Sequence, residues 1–582
     1  PTEYWELLRS GRDAVREVPM QSWDLDRYYD IHPNTPGKMN TRWGGFLDQV
    51  DRFDPSFFGI TPKEAERIDP QHRLVMEVAW ETIEDAAVNP SKLDGTKTGV
   101  FVGIGNYDYG RLLIRDPNKI NAYDGLGNTL CIAANRLSYL LNLKGPSLVL
   151  ESACSSSLVS IHYACRSLLS GESDYAICGG VSLMLSPEPT ISYSHARMMS
   201  PNGRCKTFDA SADGYVRGEG CGMVLFCRLS DAERLGHRIQ AVIAGSAVNQ
   251  DGRSNGLTAP NGLAQQAVIS EALHAAAISA DDVSYVEAHG TGTPLGDPLE
   301  LDALTRAYRP DPSRQQALVI GSAKTNIGHL EAAAGMAGLL KVIMMFKHKQ
   351  IPPHLHLHEL NPYIQQDSES FIIPSYLMDW EPVNRRRLAG ISSFGFGGTN
   401  SHLILEEYLG NHVDVPCDTD SIPQIFTLSA KSESALRELC SSYKVLLTKN
   451  TESSLAHIAF TSCTGRFHHP CRLACVADSI RSLEEQLEAI AEGVDDSKIS
   501  YLGAKRHASK PIVFLFTGQG SQYHAMGEEV YKEHAMFRQA IDDCDRIIFL
   551  HLAMSLTSTL YSDGGDQDYI HKTAYTQPNL IE

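Results

Sequence analysis

Apolar positions along the chain fall into two interleaved patterns: short continuous runs, and longer stretches with helical spacing. From about residue 97 to 408 the runs are Thr98 to Gly103, Leu148-Val149-Leu150, Ile239 to Ala247, Val283 to Ala288 and Leu318-Val319-Ile320. Runs this short read as buried strands, and their alternation with helical stretches predicts an α/β layered fold with mainly parallel pairing. Leu158, Ile161, Cys165 and Leu168 recur at spacings of 3, 4 and 3, the buried stripe of a helix that Gly171 caps. A long apolar helix is predicted from Leu330 to about Lys347, before Pro352-Pro353. Beyond Tyr408 the pattern changes. Residues 411–423, rich in Asp, Pro and Thr, read as a connector. A smaller α/β unit follows, with helices over Ser432 to Leu447 and Ser482 to Glu492. A new strand is predicted over Ile512 to Phe516, running into Gly518-Gln519-Gly520.

These elements spread over 582 residues, about four domain equivalents at roughly 150 residues each, although one large α/β unit takes several. Hydrophobic residues at 42% and charged residues at 21% are a globular balance and not a disordered one. Lys+Arg 51 against Asp+Glu 70 leave a net charge of -19, which argues against nucleic acid or an anionic membrane as partner. No stretch approaches the roughly 18 uncharged apolar residues of a membrane span. The opening Pro1-Thr2-Glu3-Tyr4-Trp5 has no signal-peptide layout, so a cytoplasmic location is expected. A chain opening on Pro1 and not on Met reads as a piece of a longer one. Its cysteines number 13, an odd count without Cys-x-x-Cys pairs, which fits neither a disulfide framework nor a zinc knuckle. Most are expected to be buried small hydrophobes.

One cysteine stands apart. In Leu148-Val149-Leu150-Glu151-Ser152-Ala153-Cys154-Ser155-Ser156-Ser157-Leu158 a strand runs through small residues into a helix, so Cys154 lies at the helix N-terminus. Free amides and the positive end of the helix dipole favour a thiolate there, the form a nucleophile needs. Two histidines occupy comparable places. Glu287-Ala288-His289-Gly290-Thr291-Gly292-Thr293 ends one strand, with Asp297-Pro298-Leu299-Glu300 opening the next helix. Lys324-Thr325-Asn326-Ile327-Gly328-His329 ends another. Strand ends of open α/β sheets are where such folds place ligand sites. A nucleophile with two imidazoles able to donate to a developing oxyanion suits acyl chemistry. The run Gly390-Ile391-Ser392-Ser393-Phe394-Gly395-Phe396-Gly397-Gly398-Thr399-Asn400-Ser401-His402 is dense in glycine and reads as a turn before the strand Leu403-Ile404-Leu405, its backbone free to approach a ligand.

Together these residues resemble the ketosynthase region of a type I modular polyketide synthase. The clear match runs from Asp69-Pro70-Gln71-His72-Arg73 to Glu406, with weaker similarity back to Tyr4-Trp5, and the motifs fall in the family's order. The resemblance implies a thiolase-like αβαβα layered fold and a homodimer. It implies that Cys154 takes an acyl chain from the 4'-phosphopantetheine of an acyl carrier protein as a thioester. It assigns His289 and His329 to decarboxylation of a malonyl-type extender and stabilisation of its enolate. It gives the oxyanion hole to the N–H groups of Cys154 and Phe396, the orientation of His329 to Lys324, and the pantetheine arm to Thr291 and Thr293. No cofactor is held by the chain itself. Leu428-Ser429-Ala430-Lys431-Ser432 and Thr464-Gly465-Arg466-Phe467-His468-His469 look like the adaptor between ketosynthase and acyltransferase. Phe514-Leu515-Phe516-Thr517-Gly518-Gln519-Gly520-Ser521-Gln522 looks like the acyltransferase's start, and Thr576-Gln577-Pro578 lies before its expected nucleophile. The implied domains are a β-ketoacyl synthase over 1–408, a small α/β linker over 409–510 and an N-terminal α/β acyltransferase fragment over 511–582. The family's first strand is expected before Pro1, and the piece ending at Glu582 is not expected to load extender units by the acyltransferase route. Glu151-Ser152 stands where the family usually has Asp-Thr, and Glu331 fits the family's pattern two residues after His329.

Three rivals compete. Gly252-Arg253-Ser254-Asn255-Gly256 matches a serine-hydrolase nucleophile motif, but that motif needs a strand before Ser254 and a helix after it, and both flanks read as loop. A thiolase that condenses without losing CO2, or a non-catalytic scaffold, shares the same fold; the paired histidines and retained Cys154 favour the decarboxylating enzyme. His354, His356 and His358 alternate and could share one strand face as metal ligands, but after Pro352-Pro353 a loop is expected and no metal.

Overall fold

Alternation along the strands divides their side chains between two buried faces, and this alone builds the layers. The computed structural model describes residues 1–308, 317–364, 371–410, 422–449, 454–493, 499–502, 513, 515, 518, 520, 521 and 523–561. Strands β1 (Thr98–Gly103), β2 (Ser147–Leu150), β3 (Tyr175–Ser182) and β4 (Gly220–Cys227) form one sheet in the order β2-β1-β3-β4. A second sheet holds β5 (Val242–Gln250), β6 (Tyr285–Glu287), β7 (Leu318–Gly321), β8 (Phe371–Ile372), β9 (Leu388–Phe394) and β10 (Thr399–Glu406), in the order β8-β7-β6-β9-β10-β5.

The two sheets repeat one plan. In each, a strand pairs in parallel with the next in sequence and with a later one, which then pairs antiparallel with the strand after it. Pairing is mainly parallel, as expected: five of the eight strand pairs of these two sheets are parallel and three antiparallel. In β1, Phe101 faces inward while Val100 and Val102 face outward; in β10, Leu403 and Leu405 face inward and Ile404 outward. Between the inward faces lie helices α1 (Ser156–Ser170) and α2 (Ala334–His348), through Leu158, Ile161 and Leu168 and through Met336, Leu339 and Val342. The outward face of the first sheet is covered by Pro70–Asp85 and Ile132–Leu140, that of the second by Gly262–Ala276 and Gly296–Tyr308. The result is the expected αβαβα layering, with each sheet shielded on both faces.

Local departures have local causes. Gly171 ends α1 in the left-handed conformation at φ 77, as the sequence predicts. The predicted helix from Leu330 splits into a single 3-10 turn, Glu331–Ala333, followed by α2, because Glu331 sits at φ 48 and breaks the helical path. The glycine-rich run contains more than a turn: its first half is β9, and only Gly395 to Gly398 form the turn of a hairpin into β10. Of the described cysteines, all free, five are fully buried, fewer than expected.

The adaptor is a three-stranded antiparallel sheet of Gln424–Ala430, Cys471–Ala477 and Ile499–Leu502, with Glu433–Lys449 and Ile480–Glu492 packed on it. It docks on the five-layered part through Phe57, Trp80, Phe467 and His469, whose rings meet edge-on or tilted. Arg466 donates to the Glu84 carbonyl at 2.8 Å and Lys431 to that of Phe57. Residues 1–504 accordingly form one compact unit. The second unit, Lys505–Glu582, contains the helices Glu528–Glu533, Ala535–Leu552 and Leu556–Tyr561, with Leu556 and Leu560 buried. Most of the expected connector over 411–423, most of the strand from Ile512, and Thr576-Gln577-Pro578 lie outside the described residues. Among the described residues no helix is long and apolar enough to cross a membrane.

Candidate active site

Between β2 and α1 the chain turns sharply. Ala153 takes a left-handed φ of 55, a conformation that costs a non-glycine residue of order 1 kcal/mol and needs local support. That support is visible. The Glu151 carboxylate accepts from Ala153 N–H at 3.1 Å, Ser156 Oγ accepts from Ser152 N–H at 2.9 Å, and Ser155 Oγ donates back to the Ser152 carbonyl at 2.9 Å. The departure at Glu151-Ser152 thus keeps the turn hydrogen-bonded. Cys154 stands in a 3-10 turn leading into α1, as predicted. The β9–β10 hairpin leans on this turn at Gly395, where a Cβ would lie 2.4 Å from the Ser152 carbonyl oxygen, so only glycine allows the approach. It brings the Phe396 N–H to the sulfur, and the N–H of Cys154 itself also points there.

His289 and His329 enter from the second half of the fold, their rings 5.5 Å apart and nearly perpendicular. His289 is held from behind: Glu300 accepts both the His289 N–H at 2.6 Å and the Gly290 N–H at 2.7 Å. Its Nδ1 accepts from Phe394 N–H at 3.3 Å, which leaves the ring proton on Nε2. His329 is fixed the same way, Nδ1 accepting from Glu331 N–H at 3.0 Å. Its Nε2 is buried without a hydrogen-bond partner among the described residues. Burial holds both imidazoles well below their ordinary value, with the Lys324 charge the next cause. Both are neutral N–H donors at physiological pH.

The sulfur departs from expectation. Burial pushes the Cys154 thiol up to about 12 and the Glu331 carboxylate adds to the rise; Lys324 and the two N–H groups only partly offset them. A resting thiolate is therefore not what this site holds: desolvation outweighs the Lys324 charge and the two N–H groups.

Cys154, His289 and His329 line one cavity of about 280 Å³, together with Thr291, Thr293, Phe394 and Phe396. Lys324 is buried beneath the two histidines, acting on both through its charge. Ser254 is elsewhere, donating to the Gly256 carbonyl at 2.5 Å within its own loop, with neither the strand nor the helix a hydrolase needs. The three alternating histidines do not converge: His354 faces the Thr207 carbonyl at 3.2 Å, His356 meets Asp13 at 3.3 Å, and the backbone N–H of His358 donates to Asp209.

Comparison with known proteins agrees with this geometry. Residues 1–232 match the family model for the beta-ketoacyl synthase N-terminal domain and residues 240–358 that for its C-terminal domain. The chain is similar to the ketosynthase from module 6 of the bacillaene synthase of Bacillus subtilis 168, at 34% identity and a TM-score of 0.80, covering 97% of this chain and 94% of that one. It belongs to the beta-ketoacyl synthase family. A second solved ketosynthase, the oxazolomycin domain of Streptomyces albus JA3453, matches at 38% identity and a TM-score of 0.80, over 86% of this chain and 87% of that one. Residues 424–487 match the model "CurL-like, PKS C-terminal" and 513–582 the acyl transferase domain. Among curated proteins, one phenolphthiocerol/phthiocerol polyketide synthase polypeptide of Mycobacterium tuberculosis is 42% identical over all of this chain and 32% of its own length. Another phenolphthiocerol/phthiocerol polyketide synthase polypeptide of that organism is 41% identical over 96% of this chain and 36% of its own length. The ketosynthase chain thus spans about a third of the length of these relatives.

Three groups at the ketosynthase site escape sequence reasoning. Glu300 is legible as a helix start but not as the acceptor that seats His289. Arg217 and Asn106 give no signal, since a buried charge and a half-buried amide look like any others in a sequence. Arg217 is 1% exposed and grips Glu331 through Nε at 2.6 Å and Nη2 at 2.9 Å, while Asn106 Nδ2 donates to the same carboxylate at 3.1 Å.

Proposed function

We propose that this chain catalyses decarboxylative Claisen condensation as the β-ketoacyl-[acyl-carrier-protein] synthase, an acyltransferase, of a polyketide synthase. The observation that carries the proposal is the cavity shared by Cys154, His289 and His329, into which His329 directs an unpartnered Nε2–H.

The substrates ride on the 4'-phosphopantetheine of an acyl carrier protein, its arm lying along Thr291 and Thr293. In the first half-reaction Cys154 Sγ attacks the acyl thioester, the new S–C bond replaces the pantetheine S–C bond, and the cysteine's proton passes to the departing pantetheine sulfur. Both imidazoles offer an N–H and no lone pair to the cavity, so neither serves as the base here. The oxyanion of the tetrahedral intermediate lies between the N–H groups of Cys154 and Phe396. In the second half-reaction a malonyl-type thioester loses CO2, and the bonding pair moves into an enolate whose oxygen accepts from the Nε2–H groups of His289 and His329. Burial, with the Lys324 charge next, keeps these rings neutral, so they donate without carrying a proton away. The enolate carbon attacks the acyl-Cys154 carbonyl, and collapse releases the β-ketoacyl product and the Cys154 thiolate, which is reprotonated. The chain holds no cofactor for either step, and it works as a homodimer.

Intact-mass measurement after incubation with an acyl-carrier thioester is expected to show an acyl adduct absent from Cys154→Ala. Labelled malonyl-carrier substrate is expected to release CO2. An adduct that survives Cys154→Ala removes the nucleophile, and no CO2 release turns the assignment toward a thiolase.

A further inference from the structure

The His329–Glu331 turn is clamped from two sides by one residue's surroundings. On the backbone side His329 N–H donates to the Val216 carbonyl at 2.7 Å, and Gly218 N–H donates to the His329 carbonyl at 2.8 Å, bracketing Arg217. On the other side the Arg217 side chain curls round to hold the Glu331 carboxylate in a two-pronged pair. The remaining Arg217 nitrogen, Nη1, donates to Thr190 Oγ1 at 2.8 Å. Asn106, anchored on the Ser182 hydroxyl at 3.1 Å and the Leu183 carbonyl at 3.0 Å, adds the third grip on Glu331.

What is clamped is a residue at φ 48, a conformation an unbound glutamate leaves readily. Only in that conformation does the Glu331 N–H reach His329 Nδ1 at 3.0 Å and force the ring proton onto Nε2. A relaxed Glu331 would free the ring to take the other tautomer and present a lone pair to the cavity. The pair also has a cost: taking a guanidinium and a carboxylate out of water is seldom repaid as stability, so specificity is the better account of its presence.

We propose that Arg217 and Asn106 are positioning residues that act through Glu331 to hold His329 as an Nε2–H donor, and so serve the decarboxylation half-reaction and not the acylation of Cys154. This rests on the condensing reading above. Glu331→Gln weakens the grip while nearly keeping shape; Glu331→Asp keeps the charge opposite Arg217 but withdraws it by one methylene, which guards against loss of the fold. In both variants CO2 release from malonyl-carrier substrate is expected to fall at least tenfold, toward the ~10²-fold cost of a misplacement of about 1 Å. The rate of Cys154 acylation, read by intact mass on the same preparations, is expected to stay within about threefold of the parent or to rise. A merely structural role lowers both rates together, and that result overturns the proposal. So does CO2 release within about threefold of the parent in both variants. A parent chain that acylates but releases no CO2 overturns the condensing reading itself, independently of the clamp.

Discussion

At the residue scale, desolvation is the largest influence on the site's nucleophile and on both of its imidazoles. The same burial that raises the Cys154 thiol lowers both imidazoles, so the sulfur and the two rings rest uncharged. Charge then appears only as the reaction creates it, facing N–H donors already in place. A measurable consequence concerns the resting thiol. With its ionisation pushed to about 12, alkylation of Cys154 by iodoacetamide is expected to rise about tenfold per pH unit between pH 7 and 9, followed by peptide mass mapping. A rate that levels off near pH 7 would mean that the thiolate is stabilised after all. The identity of the three reacting residues was legible because each follows a strand end in a recognisable motif. Their ionisation was not, because it depends first on burial and then on charges distant in sequence and close in space, Glu331 and Lys324 for the sulfur and Lys324 for both rings.

At the element scale, periodicity located most strands and helices, and the errors cluster where tertiary contacts override local pattern. Residues 98–103 and 318–320 fall within β1 and β7, whereas β5 begins at Val242, three residues after the start of the predicted run at Ile239. The strand half of the glycine-rich motif was hidden because β9 is buried between β6 and β10, where small residues such as Gly390 and Ser392 are tolerated for packing against Tyr308 and His402. Strand β2 carries a further expectation. It is an edge strand with Leu148 48% exposed, beside the helix Ile132–Leu140 whose Tyr139 is 85% exposed. An uncovered edge bearing apolar side chains invites a second strand, and a two-fold copy of β2 would continue the sheet. Leu148→Arg is expected to shift the chain from dimer to monomer in sedimentation equilibrium; a parent chain that sediments as a monomer would sink the homodimer.

At the scale of the whole molecule, stability is tied to histidines kept neutral by burial. His72, His354 and His402 are lowered to about 3 and His469 to about 4, and His289 and His329 lie well below their ordinary value. Between those values and about 6.5 the unfolded chain binds protons that the folded chain refuses, so stability falls as pH drops through this window. Asp69 and Asp297, raised by burial to about 6, and Glu300, raised to about 7, act in the opposite sense between the ordinary carboxylate range and those values. Among the described residues nine imidazoles are held down against eight carboxyls held up, and the buried imidazoles move further, from about 6.5 to about 3 at His72, His354 and His402 against the carboxyls' rise to about 6 or 7. The urea midpoint of unfolding is expected to be lower at pH 5 than at pH 7 at fixed salt; an equal or higher midpoint at pH 5 would contradict the balance. The cavity's mixed parentage has its own consequence during synthesis. A ribosome releases Cys154 about 240 residues ahead of Phe396, an interval on the order of 10–50 s at usual elongation speeds. His289 follows the nascent sulfur after 135 residues, His329 after 175 and the hairpin last, so the growing chain cannot condense anything until that hairpin is made.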